Sequence, residues 1–311
     1  MDAVSEHPVR RQNSPTPRPL SPALTSLVND LASARRADGP DGDPLPLTAR
    51  WSTALSDRLD DNLAATGSVG RGEATPASDL DAIRLAPGPT PGFTGLLTDG
   101  IIGDDDGVSP ATSVLPGDRA AWTAALAGWC ARPGDDRGVV KTGLVADAAD
   151  PVGELPRAAA AAVPGTPMVT EMLRDALSHT PPRTTGLFHA DSFALKEDLL
   201  TPVVKISRWA ALTSGSAACG TVTRLTDAAA AGLLGHTEAV ALRESYRAGL
   251  ALSLDLALGT GPTSIFERRG RVVFSALPRE RSQRLRRAVT DLRGVQRTLR
   301  YRLSTSSYTE F

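Results

Sequence analysis

The stretch Gly67-Ser68-Val69-Gly70-Arg71-Gly72-Glu73-Ala74-Thr75-Pro76-Ala77-Ser78-Asp79-Leu80-Asp81-Ala82-Ile83-Arg84-Leu85 decides how the rest of the chain is read. Gly67, Gly70 and Gly72 follow a short run, Asn62 to Thr66, that reads as a strand. A glycine-rich path after a strand turns tightly and presents backbone N–H groups, here beside the Ser68 hydroxyl, and such donors suit phosphate oxygens. Asp79 and Asp81 stand two apart among apolar Leu80 and Ile83, so on a strand over Leu80 to Leu85 both carboxylates leave one face. Paired carboxylates beside a phosphate loop suit Mg²⁺, which combines one or two carboxylates with substrate phosphates. Taken singly, a glycine-rich turn is only a turn and an Asp-x-Asp pair is a solvated edge or a helix cap. Their order and spacing together point to phosphoryl or nucleotidyl transfer.

Working outward, Leu24, Leu27, Val28 and Leu31 have helical spacing up to about Arg36, within a proline-rich segment, 1–46, read as a disordered tail with one short helix. The folded part is expected from Leu47, with Trp51, Leu55 and Leu59 on one helical face behind Thr48 as N-cap. Residues 87–110 read as long loops, Ala120 to Cys130 as a helix with Trp122, Leu126 and Trp129 inward, and Gly138 to Ala146 as further sheet. Beyond Leu155 the pattern turns helical: Ala158 to Val163, Val203 to Leu212, Thr221 to Leu234, Thr237 to Leu258, and a long stripe from Leu285 to Leu303. The fold class is therefore α+β, a small mixed-sheet domain over 47–156 followed by an all-helical bundle over 157–304, with 305–311 disordered.

The chain has 311 residues, enough for about two domains. Lys plus Arg is 34 against Asp plus Glu at 35, so no bulk charge attracts nucleic acid or anionic lipid, and an electrostatic partner needs a local patch. Cys130 and Cys219 are too few and too far apart for a zinc cluster or a disulfide framework, and both read as buried hydrophobes in a reducing cytoplasm. No apolar run approaches the ~18 to 20 residues that span a bilayer, so a cytoplasmic location without a membrane partner is expected. Asp104, Asp105 and Asp106 lack the ligand spacing of a calcium loop. The four histidines are scattered, and only His189, between Phe188 and Ala190, is placed to line a site, ordinary packing being its other reading. Arg279 to Arg302 form a basic face opposite an apolar stripe, without interleaved aromatics; it reads as a solvated helix face, and nucleic acid is not an expected partner.

The run Gly67-Ser68-x-Gly70-Arg71-x-Glu73 with Ser78-Asp79-x-Asp81 resembles the signature of the DNA polymerase β-like nucleotidyltransferase superfamily. Its Arg-x-Glu and Ser-Asp-x-Asp spacing is most similar to the PII uridylyltransferase and glutamine-synthetase adenylyltransferase branch, and closer still to signal-transduction nucleotidyltransferases often fused to CBS domains. That set also resembles this chain in a Trp-rich helix, Trp122 to Trp129, leading to a strand that ends in Asp147. Leu195-Lys196, Ile206-Ser207-Arg208 and Thr221 to Leu225 then look like stations of its helical substrate-binding domain.

The resemblance implies a nucleotidyltransferase palm over 47–156 and a substrate-binding helical domain over 157–304. It implies that Gly67, Ser68 and Gly70 contact the nucleotide phosphates and that Arg71 positions the pyrophosphate leaving group. Asp79 and Asp81 would hold two Mg²⁺ ions, with Asp147 as the third metal-binding carboxylate that assists deprotonation and Asp150 as its competitor. Glu73 fits the motif, and a loop pairing with Arg71 is an equal reading. Lys196 and Arg208 would face the nucleotide, a surface salt bridge being their other reading. The implied reaction is transfer of AMP or UMP from ATP or UTP to a hydroxyl, on a protein such as a PII-like signalling protein. A catalytically silent nucleotide-binding regulator and an antibiotic-modifying nucleotidyltransferase are the alternatives.

Overall fold

The computed structural model describes residues 19–103, 115–184, 190–261, 266–267 and 271–305. The chain enters helix α1 (Pro22–Asp38), with Pro22 in its first turn, where a missing N–H costs nothing. Gly39, at φ 72°, then ends the helix. Leu24 and Leu31 bury one face of α1 against Trp51 and Leu55 of α2 (Leu45–Ser56). Arg35, only 2% exposed, donates from Nε to Asp255 Oδ1 at 2.7 Å. The folded part thus starts well before Leu47, because the α1 stripe has a cover far along the chain. Of the tail expected over 1–46, residues 1–18 lie outside the described residues, as do 306–311.

Strand β1 (Leu63–Thr66), wholly buried, pairs antiparallel with β2 (Asp81–Arg84), Leu63 opposite Arg84 and Thr66 opposite Asp81. A single parallel bridge, Leu80 to Gly103, extends this small mixed sheet. Between the strands the chain makes one helical turn, α3 (Gly67–Gly70), and α4 (Pro91–Thr98) follows β2. Helix α5 (Arg119–Ala131) buries Trp122, Leu126 and Trp129 as expected, and Trp122 Nε1 donates to the Arg84 carbonyl at 3.0 Å, fastening the helix to β2.

The segment expected as further sheet is helix α6 (Gly138–Ala146), and Asp147 caps its C-terminal end rather than ending a strand. A short apolar run does not distinguish strand from buried helix by periodicity alone. Here Val145 is buried and Val140 is exposed, the pattern of a helix with one inward face.

Helix α7 (Glu154–Ala162) starts where Asp150 accepts from the backbone N–H groups of Glu154 and Leu155, at 2.9 and 3.1 Å, and from Arg119 Nη2 at 2.9 Å. The boundary expected at 156–157 therefore falls inside a helix. Burial would raise the Asp150 carboxyl, but the Arg119 hydrogen bond and the Leu155 and Val152 N–H groups outweigh it and hold it below its ordinary value. A lowered carboxyl stabilises the fold above its unfolded pKa of about 3.9 and loses that contribution as pH falls through the folded value. Asp150→Asn removes the charge from its bonds to Arg119 and the helix-start N–H groups and should therefore cost about 1 kcal/mol at pH 7. In urea titrations run at stepped pH, that difference should shrink as the solution is acidified below about pH 4.

The remaining helices are α8 (Pro167–Leu177), α9 (Thr201–Thr213), α10 (Thr221–Ala230), α11 (His236–Ala257) and α12 (Arg279–Ser304). This half is not all helix. Strand β3 (Ser192–Ala194) precedes α9, while β4 (Phe266–Glu267) and β5 (Arg271–Val273) lie between α11 and α12, in the antiparallel order β3-β5-β4. Strands of two or three residues are too short to show alternation. One apolar cluster runs from Ala64 and Ile83 through Trp122 and Trp209 to Leu299, so both halves share a core.

Several arginines of α12 are engaged within the chain. Arg281 pairs with Asp255, and Arg286, Arg293, Arg300 and Arg302 donate to the carbonyls of Thr184, Pro181, Leu177 and Leu233.

Candidate functional site

At the end of β1, Thr66 Oγ1 donates to the Leu144 carbonyl at 2.6 Å, and the chain turns at Gly67 with φ +60°. A Cβ on Gly67 would lie 2.6 Å from Asp81 Oδ2, so glycine is needed both for the backbone conformation and for the carboxylate beside it. Asp81 arrives there because it sits opposite Thr66 in the sheet register. Asp79 and Asp81 are half-buried on either side of the fully buried Leu80, the alternation expected of a strand with one inward face. Ser78 shapes the approach: its Oγ accepts from the Thr75 N–H at 3.0 Å and closes the turn that leads into Asp79.

The same loop reaches the helical half through Arg71 and Glu73. Arg71 Nε donates to Glu73 Oε2 at 2.9 Å and Nη1 to Asp147 Oδ2 at 2.5 Å. Asp147, 1% exposed, also accepts on Oδ1 from Arg208 Nε at 3.1 Å and from Arg224 Nη1 at 2.7 Å, and on Oδ2 from Arg208 Nη2. Its four lone-pair positions are filled by three guanidiniums. Burial alone would raise the Asp147 carboxyl, but Arg208, Arg71 and Arg224 hold it well below the usual carboxylate range. Burial likewise pulls Arg71 down, and Asp147 and Glu73 reverse that, leaving it above its ordinary value. For Arg224 burial prevails over Asp147, with Arg208 adding to it, and its guanidinium is lowered.

Glu73 caps the start of α10 from 148 residues away: Oε1 accepts from the Thr221 N–H at 2.5 Å and Oε2 from Thr221 Oγ1 at 2.8 Å. The Tyr246 hydroxyl donates to Oε2 at 2.7 Å, and burial together with the Glu73 charge pushes that phenol well above its ordinary value. Gly70 makes the approach possible, since a Cβ there would run into the Asp147 carbonyl and lie 2.7 Å from the Ala65 carbonyl.

The structure thus sets Gly67 beside Asp81, and it places Gly70 and Arg71 with Asp147 and Arg208 at the far end of the same turn. Ser68 lies between these two places, half-buried. Lys196 is exposed on the turn before α9 and bonds to none of these groups. Asp150 is a helix cap, as described. His189 and Asp104 to Asp106 lie outside the described residues. Tyr246 falls within the helix expected over Thr237 to Leu258, and the signal that could have found it is that a tyrosine on the buried side of a helix needs a hydrogen-bond partner.

Among the described residues no group of three or more His, Cys, Asp or Glu side chains is arranged to hold a metal ion. Asp79 and Asp81 suit a magnesium ion whose remaining ligands are phosphate oxygens and water. Asp147, with every lone pair committed to arginine, does not fit as the third ligand in this arrangement.

Residues 167–303 match the family described as "Putative nucleotidyltransferase substrate binding domain". The helical half resembles the substrate-binding part of nucleotidyltransferases. The matched segment contains Arg208, Thr221, Arg224 and Tyr246, which clasp the loop residue Glu73 and the α6 cap Asp147. No curated protein matches the chain. Among the described residues no helix is long and apolar enough to cross a membrane.

Proposed function

We propose that the protein is a magnesium-dependent nucleotidyltransferase that moves AMP or UMP from ATP or UTP to a hydroxyl, on a protein acceptor of the PII-like signalling kind. The observation that carries the reading is the Asp81 carboxylate held against the Gly67 backbone, so that a glycine turn and the acidic pair meet at one place. The likeness of the helical half to a substrate-binding domain supports it.

In this reading Gly67, Ser68 and Gly70 border the phosphates, and Asp79 and Asp81 would hold the magnesium. The ion, when bound, neutralises charge that develops on the phosphate oxygens. The turn fixes the α-phosphorus against the β2 edge, and the helical half brings the acceptor hydroxyl in line with the pyrophosphate leaving group. As the acceptor oxygen bonds to the α-phosphorus, the bond to pyrophosphate breaks and the hydroxyl proton passes to water. Arg71 and Arg208 stand at the far end of the turn as cations for that leaving group.

The second reading, a nucleotide-binding regulator without turnover, is favoured by one observation: Asp147 has no lone pair left with which to take a proton. Calorimetric titration of the full chain with ATP, UTP, GTP and CTP in Mg²⁺, together with a pyrophosphate-release assay, separates the two. One nucleotide should bind only with Mg²⁺, and the Asp79→Asn/Asp81→Asn variant should weaken that binding at least tenfold. Binding without pyrophosphate release, across a panel of protein acceptors, would select the regulator. Undiminished binding by the double variant would remove the carboxylates from the site.

A further inference from the structure

We infer that the outward face of α12 is the surface through which two copies of this chain pair, antiparallel, about a two-fold axis at Gly294. The inference stands apart from the proposed nucleotidyl transfer, since no residue of that reading lies on this face.

Arg287, Asp291, Gly294, Arg297 and Tyr301 fall within about 60° of one line along α12, opposite the buried Leu285, Leu292 and Leu299. Neighbouring elements hold the helix by its other sides: Ser245 of α11 donates to the Ala288 carbonyl, and Arg293 and Arg300 reach the Pro181 and Leu177 carbonyls. What remains outward is a ridge. Tyr301, 69% exposed, is the most exposed large apolar side chain among the described residues. The Arg287 side chain is 85% exposed, and its Nε lies 3.6 Å from Asp291 Oδ2 one turn on, a loose surface pair of little worth. Arg297 is exposed and has no bonded partner among the described residues.

A second copy fits this face because its residues are placed symmetrically about Gly294. Two antiparallel helices that cross at residue 294 bring a residue before it level with the residue equally far after it in the other copy. Asp291 and Arg297 stand three places either side, so a carboxylate comes level with a guanidinium, twice over. Arg287 and Tyr301 stand seven places either side, which sets a guanidinium level with a phenol ring, also twice. Such self-complementarity is what a two-fold interface requires, where residue i meets j while j meets i. Gly294, on the axis, has no side chain to hold the two backbones apart. A nucleic-acid strand fits less well, because Asp291 stands among the arginines and would face phosphate. The contact uses about 21 Å of one helix from each copy, which belongs to the small, transient class of interface, so micromolar association is expected.

Sedimentation velocity of the full chain at rising concentration tests this. The parent should move from the monomer mass to the dimer mass by about 200 µM. Asp291→Arg and Arg297→Asp each bring like charges level, and each alone should weaken pairing at least tenfold. Mixed in equal amounts, the two variants set opposite charges level again and should pair about as tightly as the parent. Gly294→Glu puts two carboxylates on the axis and should weaken pairing at least tenfold. A Cβ there meets nothing within 4 Å and glutamate favours helix over glycine, so the melting midpoint of Gly294→Glu should not fall below the parent's.

A parent that stays at the monomer mass throughout overturns the inference, and so does a dimer indifferent to Gly294→Glu or to either charge reversal. A mixture of the two charge variants that stays monomeric overturns the pairing of Asp291 with Arg297 and the inference with it. A monomer that sediments faster with an added thymidine oligonucleotide gives the face to nucleic acid instead.

Discussion

Gly70→Ala should lower stability by roughly 3 kcal/mol or more, which in a chain of this size shifts the melting midpoint by about 6 °C or more. The added methyl meets two backbone carbonyls, those of Asp147 and Ala65, and not the tip of a side chain that can swing away. Ala65 lies in β1 and Asp147 ends α6, so relief requires strand and helix to separate. Separation would carry the Asp147 carboxylate off its three arginines. Gly95→Ala is the control, being a helical glycine in α4 with nothing within 4 Å of the added carbon. It should be neutral or stabilising by at most about 1 kcal/mol. Melting curves followed by circular dichroism check both, and a Gly70→Ala protein that melts with the parent would mean that the loop does not lie against α6.

Glu73→Gln should cost about 3 to 5 kcal/mol, the range found when one partner of a buried charge pair is removed. The amide keeps the shape of the side chain but removes its charge from Arg71, and one oxygen acceptor at the start of α10 becomes an NH₂ donor facing other donors. Tyr246→Phe removes one of the same contacts without leaving a charge unpaired, and should cost about 1.5 to 3 kcal/mol. Urea titrations with unchanged slope would attribute both losses to the native state. A Glu73→Gln loss no larger than that of Tyr246→Phe would mean that Arg71 keeps its charge balanced without Glu73.

Much of the fold was readable because its cues are local. The alternation through Asp79, Leu80 and Asp81 and the glycine at 67 are statements about neighbours, and β1, β2 and the turn lie where those cues put them. Helices α9 and α11 have stripes long enough to fix their period. Helix α6 does not: in nine residues with valines at 139, 140 and 145 the strand and helix readings coincide, and burial against α5 and α7 decides between them. The arginine cluster was unreadable for another reason. Glu73 and Tyr246 are 173 residues apart, Asp147 and Arg224 are 77 apart, and no spacing rule connects them. Arg71 and Glu73 were recognisable as a pair, but what they grip came only with tertiary structure. The same holds for α1, whose Arg35 finds its carboxylate 220 residues on.

That last pairing sets an order on synthesis. Leu24, Leu31 and Trp51 pack in one cluster with Leu254 and Leu258, and Arg35 is neutralised by Asp255. A ribosome adding about 5 to 20 residues per second needs on the order of 10 to 45 s to pass from the first partner to the second. Throughout that interval the opening helix has α2 to pack against, but the apolar residues and the carboxylate that α11 contributes to its cover are not yet made. The first helix of this protein is in that sense finished only by a helix made near the end of the chain, so its burial waits on nearly the whole of synthesis.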